Sequence, residues 1–259
     1  MKIIVAIKQV PDRDSQVRVD ASGKWIVDTD LQYAMNESDA HALEEALQLK
    51  EKTAEAGGEV IVVTAGAESA GTVIREALAK GADRAIHILA DDLPSRDSFG
   101  VASLLAAAVK DEKPDLILAG LQSEDLGNGQ TGVILAELLG LPHATLILNV
   151  EKTDIGLRVK RELEEGWFQN IELPTPALLT IQSGGNKLRY ATLMGIKRAK
   201  TKEVRQVAAA SLGADVPAVA VLEQITLPKK QKSTQMLSGS PKEAAAALVE
   251  KLRLEVHVL

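Results

Sequence analysis

Apolar, β-branched runs alternate with amphipathic stretches through roughly the first 140 residues, and this alternation limits what the chain can fold into more than any other feature. The runs at 3–7, 60–64, 84–89 and 115–119 have the length of buried strands. Between them, 36–56, 68–80 and 97–110 repeat apolar residues at helical spacing, as in Ala42, Leu43, Ala46, Leu47 and again in Val73, Ile74, Ala77, Leu78. Gly57-Gly58, Gly81 and Pro114 close these stretches, and Asn36 or Ser38 can open the first. Strand, helix and strand at about 30-residue spacing bury their apolar faces together only as a parallel sheet covered by helices on both sides. The predicted fold is therefore α/β: an open, mostly parallel twisted sheet with helices on both faces.

The pattern changes after Leu141-Pro142. Residues 143–150, 156–163, 167–172 and 177–182 follow one another as strand-like runs, and Arg158, Lys160 and Glu162 alternate with Leu157, Val159 and Leu163. One face of these strands is wet, which predicts antiparallel additions to the sheet or a small side sheet. Residues 16–20 and 25–28 flank Ala21-Ser22-Gly23-Lys24 and predict a hairpin. From 202 to 239 no period is sustained; Pro217, Pro228 and the run Lys229-Lys230-Gln231-Lys232 suit an arm that lies on something else. Ser240-Pro241-Lys242-Glu243 then opens a last helix, with Ser at the cap, Pro at the first helical position and Glu at the third, running to about Arg253. The expected organisation is an α/β nucleotide-binding domain over 1–200 and a C-terminal arm and helix over 201–259.

Several function classes are disfavoured. A net charge of −6 argues against nucleic acid as the main partner. With no cysteine, the chain holds no disulfide, thiolate nucleophile or cysteine-ligated cluster. No apolar run reaches the roughly 18 residues of a membrane span. The run at 3–7 is too short for a signal peptide and is ended by Lys8, so a cytoplasmic protein is expected. HExxH, CxxC, Walker A and GxSxG patterns are all missing, and His41, His87, His143 and His257 are scattered. No catalytic residue and no metal ligand is nominated.

The chemistry gathers in Gly120-Leu121-Gln122-Ser123-Glu124-Asp125-Leu126-Gly127-Asn128-Gly129-Gln130-Thr131-Gly132. An apolar strand leads in and a helix over 131–139 leads out. Glycines let backbone approach a phosphate, and the first N–H groups of a helix have no internal partner, so the arrangement suits an anion. Gly127-x-Gly129-x-x-Gly132 is a literal GxGxxG, but in a Rossmann fingerprint the glycines directly follow the first strand, and here they follow the fourth at a distance. A nucleotide or phosphate site of another mode is predicted, with Asp125, Asn128, Gln130 and Thr131 adding polar groups that a bare turn does not need. Lys8 and Gln9, at the carboxyl end of the first strand, are further candidates. A second candidate is the basic stretch 184–200, where Leu193 and Met194 sit among charges. It reads either as an amphipathic loop and short helix packed on the body, or as a docking surface with an apolar anchor in a polar rim.

Several segments together resemble the β subunit of electron transfer flavoprotein: Val5-Ala6-Ile7-Lys8-Gln9-Val10-Pro11-Asp12, Met35-Asn36-Glu37-Ser38-Asp39, Ala79-Lys80-Gly81-Ala82-Asp83-Arg84, the 120–132 loop, Lys160-Arg161-Glu162-Leu163-Glu164-Glu165-Gly166, and 186–200 with Arg189-Tyr190-Ala191-Thr192-Leu193. The resemblance is strong over about 1–200 and implies a sheet of the adenine-nucleotide-binding type. It implies a heterodimer with an α subunit, electrons accepted from flavoprotein dehydrogenases and passed to a quinone-linked oxidoreductase, FAD shared with or held mostly by α, and a structural AMP in β. Carried over by position, the AMP site uses Ala6, Asn36, Glu37, Ser38, Asp39, Ala65 and the loop from Gly120 through Thr131. Leu193 matches the anchor of the family's recognition loop, with Arg189, Tyr190 and Met194 beside it. Electron-bifurcating relatives, which carry a second FAD in β, usually read Asp-Gly-Asp-Thr-Ala-Gln-Val-Gly-Pro in this loop. The sequence Asp125-Leu126-Gly127-Asn128-Gly129-Gln130-Thr131-Gly132-Val133 favours AMP, although Gly129 stands where asparagine is frequent and Arg13 where several relatives place an aromatic near the flavin. The expected role is an electron-carrier subunit, not a stand-alone catalyst. The alternatives are the bifurcating type and, from other classes, an adenine-nucleotide-binding module or an adenylyl-transferring enzyme.

Overall fold

The computed structural model describes residues 1–53, 57–228 and 234–258. The chain forms two compact units, Met1–Ile225 and Thr226–Leu259. The larger is built on one nine-stranded sheet and a two-stranded ribbon. The ribbon pairs β2 (Gln9–Pro11) antiparallel with β3 (Tyr33–Met35), using residues just past the first strand that the sequence presents only as a loop. The main sheet comprises β1 (Lys2–Ala6), β4 (Glu59–Gly66), β5 (Arg84–Leu89), β6 (Leu116–Gly120), β7 (His143–Lys152), β8 (Leu157–Glu162), β9 (Phe168–Leu173), β10 (Ala177–Ile181) and β11 (Val204–Ala208). Their order is β11-β5-β4-β1-β6-β10-β7-β8-β9. Every pairing from β11 to β7 is parallel; β7–β8 and β8–β9 are antiparallel.

Successive residues of the central strands supply opposite faces, as the two-residue strand period requires. Ile3, Val5, Val60, Val62, Leu116 and Leu118 face α1 (Glu37–Lys52) and α2 (Gly71–Lys80). Ile4, Ile61, Val63, Ile86, Ile117 and Leu178 face α3 (Ser98–Val109) and α4 (Thr131–Leu139). Helices on both faces of a mostly parallel sheet are the architecture that the sequence predicts.

The expectation of four antiparallel strands over 143–182 is corrected. Only β8 is reversed against the rest of the sheet, so that the β7–β8 and β8–β9 pairings alone are antiparallel; β10 lies between β6 and β7, parallel to both. All five β10 residues are buried, as suits a strand packed on both faces, whereas β8 alternates buried Leu157 and Val159 with exposed Arg158. The hairpin expected over 16–28 reduces to one bridge, Val19 with Ile26, supported by hydrogen bonds from Asp20 N to Trp25 O and from Val27 N to Arg18 O, each 2.8 Å. β11 lies within 202–239, where the sequence shows no period; it adds to the edge of β5 with only Val204 and Val207 partly buried, too little apolar content to announce a strand. Helix 68–80 opens with a 3-10 turn at Glu68–Ala70. The expected end of the first helix at 54–56 and the basic run 229–232 lie outside the described residues.

The smaller unit contributes α6 (Pro241–Leu254), whose Ser240 and Glu243 form the expected reciprocal capping box. Among the described residues no helix is long and apolar enough to cross a membrane.

Candidate functional site

The chain leaves β1 through α1 towards β4, while β6 pairs with the other edge of β1. The crevice at the carboxyl ends of β1 and β6 is therefore the point where strand order reverses, the usual ligand position in such sheets. Ala6 stands opposite Ala119 there. The first turn of α1 closes the crevice from one side and the 120–131 loop from the other.

Four residues of the α1 turn hold the loop. Asp39 Oδ2 accepts from Lys8 N at 2.8 Å and its Oδ1 accepts from Gly120 N at 2.9 Å, so one buried carboxyl joins the ends of β1 and β6. Burial pushes that carboxyl up to about 7, against the lowering pull of the Lys8 N–H, Asn36 and the Gly120 N–H. Asn36 occupies the cap position of α1 yet makes no side-chain cap bond. Its Nδ2 donates to Gln122 O and to Ser38 Oγ, each at 3.0 Å, and its Oδ1 accepts from Glu124 N at 3.0 Å. Ser38 Oγ donates to Gln122 O at 2.8 Å, and Glu37 N donates to Glu124 Oε2 at 3.2 Å. Gly120 is required at this junction, because a β-carbon would collide with Ser38 Oγ and Asp39 Oδ1.

Both acidic loop residues are matched by cations. Lys8 Nζ lies 2.7 Å from each Asp125 carboxylate oxygen and 3.3 Å from Ser123 Oγ. Burial pushes the Asp125 carboxyl up, but the Lys8 ammonium more than offsets this and leaves it below the ordinary range. Arg13 bonds both Glu124 and Glu37. The loop is closed by Gly127 N donating to Ser123 O at 2.8 Å, and it turns through left-handed backbone at Gly127 (φ 64°) and Gly129 (φ 62°). Leu121 N donates to Ile181 O at 2.9 Å, tying the loop to β10. Asn128 Nδ2 approaches Ser98 Oγ at 3.5 Å.

The loop runs into α4, whose first turn has no side-chain cap. Its leading N–H groups keep their donor capacity and, with the helix dipole, favour an anion. Gly132 lets α4 pack close: a β-carbon there would sit 2.7 Å from Thr180 Cγ2 on β10.

Of the predicted nucleotide residues, Asn36, Glu37, Ser38 and Asp39 are thus bonded to Gly120, Gln122, Glu124 and their neighbours, while Ala6 borders the crevice. Ala65 lies one strand away near the end of β4, and Gln130 and Thr131 open α4. Lys8 joins this set; Gln9 does not, since its side chain bonds Ser69 and Thr72 at the start of α2. Ser98 is not nominated by the sequence, and Gly132 is legible there only as part of the glycine pattern, because the contacts of both arise from α3 and β10 packing beside the loop.

The second candidate region begins after β10. Thr192 Oγ1 accepts from Gly195 N at 3.0 Å and caps α5 (Leu193–Ala199), a short helix laid on α2, where Arg75 Nη1 donates to Ala199 O at 2.7 Å. Tyr190 is 94% exposed and Leu193 87%, with Met194 and Ile196 beside them. Arg189, expected on the same surface, instead points inward to Glu44 and Glu51.

The electron transfer flavoprotein domain matches residues 24–212. The electron transfer flavoprotein subunit beta of Methylophilus methylotrophus is 36% identical over 258 residues, which cover 96% of this chain and 97% of the relative. The same-named subunit of Bacillus subtilis is 36% identical over the whole of both chains, and the mitochondrial subunit of Oryza sativa subsp. indica is 37% identical over the whole of both. A domain match across most of the sheet, with end-to-end similarity to several such subunits, places this chain in the electron transfer flavoprotein family as a β subunit.

Proposed function

We propose that this chain is the β subunit of a non-bifurcating electron transfer flavoprotein, with AMP held in the crevice between β1 and β6 and FAD held mostly by an α subunit. The observation that carries the AMP reading is the uncapped first turn of α4, presented behind the left-handed Gly127 and Gly129. The donor set fits a phosphate: backbone N–H groups of the loop and helix start, with Asp125 and Glu124 already neutralised by Lys8 and Arg13 so that they do not repel it. The AMP residues on this reading are Ala6, 36–39, Ala65 and the loop from Gly120 to Thr131. FAD, when bound, supplies reversible acceptance of electrons. The β subunit supplies shape, docking and a fixed frame, and needs no acid–base pair of its own.

Electrons enter from flavoprotein dehydrogenases docked at Tyr190, Leu193 and Met194, and leave to a quinone-linked oxidoreductase. Exposed apolar side chains on a capped, helix-backed segment suit such docking. The C-terminal arm and helix embrace the α subunit. Co-expression with the α subunit, purification, denaturation and counting of the released nucleotides tests the reading. One FAD and one AMP per heterodimer are expected. Two FAD and no AMP would assign the chain to the bifurcating type, and a stable monomer that binds AMP reversibly without α would make it a nucleotide-binding module.

A further inference from the structure

The exposed docking residues follow a segment, 182–192, that belongs to no helix or strand, so side chains must fix it. Gln182 N still donates to Ile147 O on β7, but from Gly184 to Arg189 the side-chain bonds run to α1. His41 Nδ1 lies 2.8 Å from Asn186 Oδ1, and Gly184 N donates to His41 Nε2 at 3.3 Å; both contacts are met by a neutral ring carrying its proton on Nδ1. Asn186 Nδ2 donates to His41 O and to Glu45 Oε2, each at 3.1 Å. Arg189 completes the attachment. Its Nε donates to Glu44 Oε2 at 2.8 Å and its Nη2 to Glu44 Oε1 at 3.1 Å, while Nη1 reaches Glu51 Oε1 at 2.6 Å and the Arg189 backbone N–H reaches Glu44 Oε2 at 3.2 Å. The guanidinium fork matches two carboxylates as a single ammonium cannot. Glu44 is almost wholly enclosed, with 5% of its side chain exposed, and a carboxylate so buried is tolerated only when paired.

Arg189 is therefore turned away from the surface that its neighbour Tyr190 helps to make. We propose that Arg189 and Glu44 form a positioning pair that fixes residues 184–192 on α1, so that Tyr190, Leu193 and Met194 meet the docking protein in a single arrangement. Neither member of the pair contacts that protein in this scheme. The physical gain is order supplied before association: a segment already in its bound conformation loses less entropy on docking. The inference deepens the docking reading given above and rests on it.

The test uses the heterodimer with its α subunit and a flavoprotein dehydrogenase selected because it reduces the wild-type complex. Two readouts are taken: amide hydrogen exchange over 184–192, and KM and kcat for reduction by that dehydrogenase. Glu44→Gln and Arg189→Lys are each expected to speed exchange. If the segment is competent about a tenth of the time in a variant, KM rises about tenfold while kcat stays within about twofold. The double variant should be no worse than either single one, since both break one interaction. A raised KM in Arg189→Lys with Glu44→Gln silent would overturn the proposal, because enclosed Glu44 offers a partner nothing and Arg189 would then be touching it directly. Faster exchange in both variants with KM unchanged would overturn it too, leaving the pair structural only. Should Glu44→Gln not fold, Glu51→Gln weakens the same fork from its exposed side and is read the same way. Leu193→Ala separates this proposal from the one beneath it: a KM unchanged by Leu193→Ala rejects docking at this surface, whatever the exchange over 184–192 shows.

Discussion

Asp39 joins two strands and a helix through one carboxyl, and its protonation makes that junction sensitive to pH. Its pKa stands at about 7, raised chiefly by burial, against an ordinary value of 3.8. In the folded protein the group thus keeps a proton that the unfolded chain has released, so its contribution to stability is fullest below about 4 and is lost as pH rises towards 7. Asp39→Asn is expected to remove this slope and also to lower stability at every pH, since one of the N–H groups of Lys8 and Gly120 then meets an amide NH2 instead of an acceptor. Urea unfolding midpoints between pH 4 and 8, taken as the difference between wild type and variant, check this; a difference independent of pH would refute the assignment. Asn36 and Arg189 show what residue type can and cannot announce. Asn36 is legible as a helix opener, but its side chain caps no backbone N–H of α1 and instead bonds Gln122 and Glu124 in a loop far along the chain. Arg189 is legible as a charged residue beside an apolar anchor, yet the two glutamates that claim it lie on α1, and no local pattern links them.

Elements were legible where burial was complete or where end signals were local. β5 at Arg84–Leu89 and α4 at Thr131–Leu139 coincide with their sequence patterns, because an apolar run bounded by Gly, Pro or Asp leaves little choice. The course of the 120–132 loop is legible for the same reason: glycines and a helix start are local features. β10 does not show its parallel pairing in sequence because its position between β6 and β7 depends on the chain returning from the β9 edge past β8 and β7, which is a non-local event, although its unbroken apolar run is the available clue. α6 is the opposite case, a helix written almost entirely in its own cap. Ser240 Oγ accepts from Glu243 N while Glu243 Oε2 accepts from Ser240 N at 2.7 Å. None of the helix is buried among the described residues, so packing contributes little and the cap contributes much. Ser240→Ala is expected to cost about 1 kcal/mol of local helix stability. Faster amide exchange over 241–254, with the main unfolding transition unmoved, is the result to look for; unchanged exchange would mean that the box is ornamental.

For the whole molecule, the two units differ in how far each satisfies itself. Met1–Ile225 has a core on both faces of its sheet. Along its last stretch, Val219 N and Ala220 N donate to Asp97 Oδ2 at 2.8 and 3.0 Å, fixing the backbone while Val219 and Val221 remain exposed. Thr226–Leu259 goes further: Leu248 and Val249, with Ala245 and Leu252, make an apolar stripe at helical spacing that nothing within the helix covers. A 14-residue helix with no buried residue is marginal by itself, and such a stripe calls for a surface to lie on. The α subunit is the surface proposed above. Covering the half-exposed Leu248 and Val249 is worth about 2 kcal/mol, so a chain ended after Ile225 should bind α about thirtyfold more weakly. Unit one should keep its own unfolding midpoint in the shortened chain, because the described residues of its core clusters all lie within it. In the full-length chain alone, amides over 241–254 should exchange nearly as fast as in an open helix, and on adding α they should become protected. Full affinity for α without residues 226–259 would show that the stripe serves another surface.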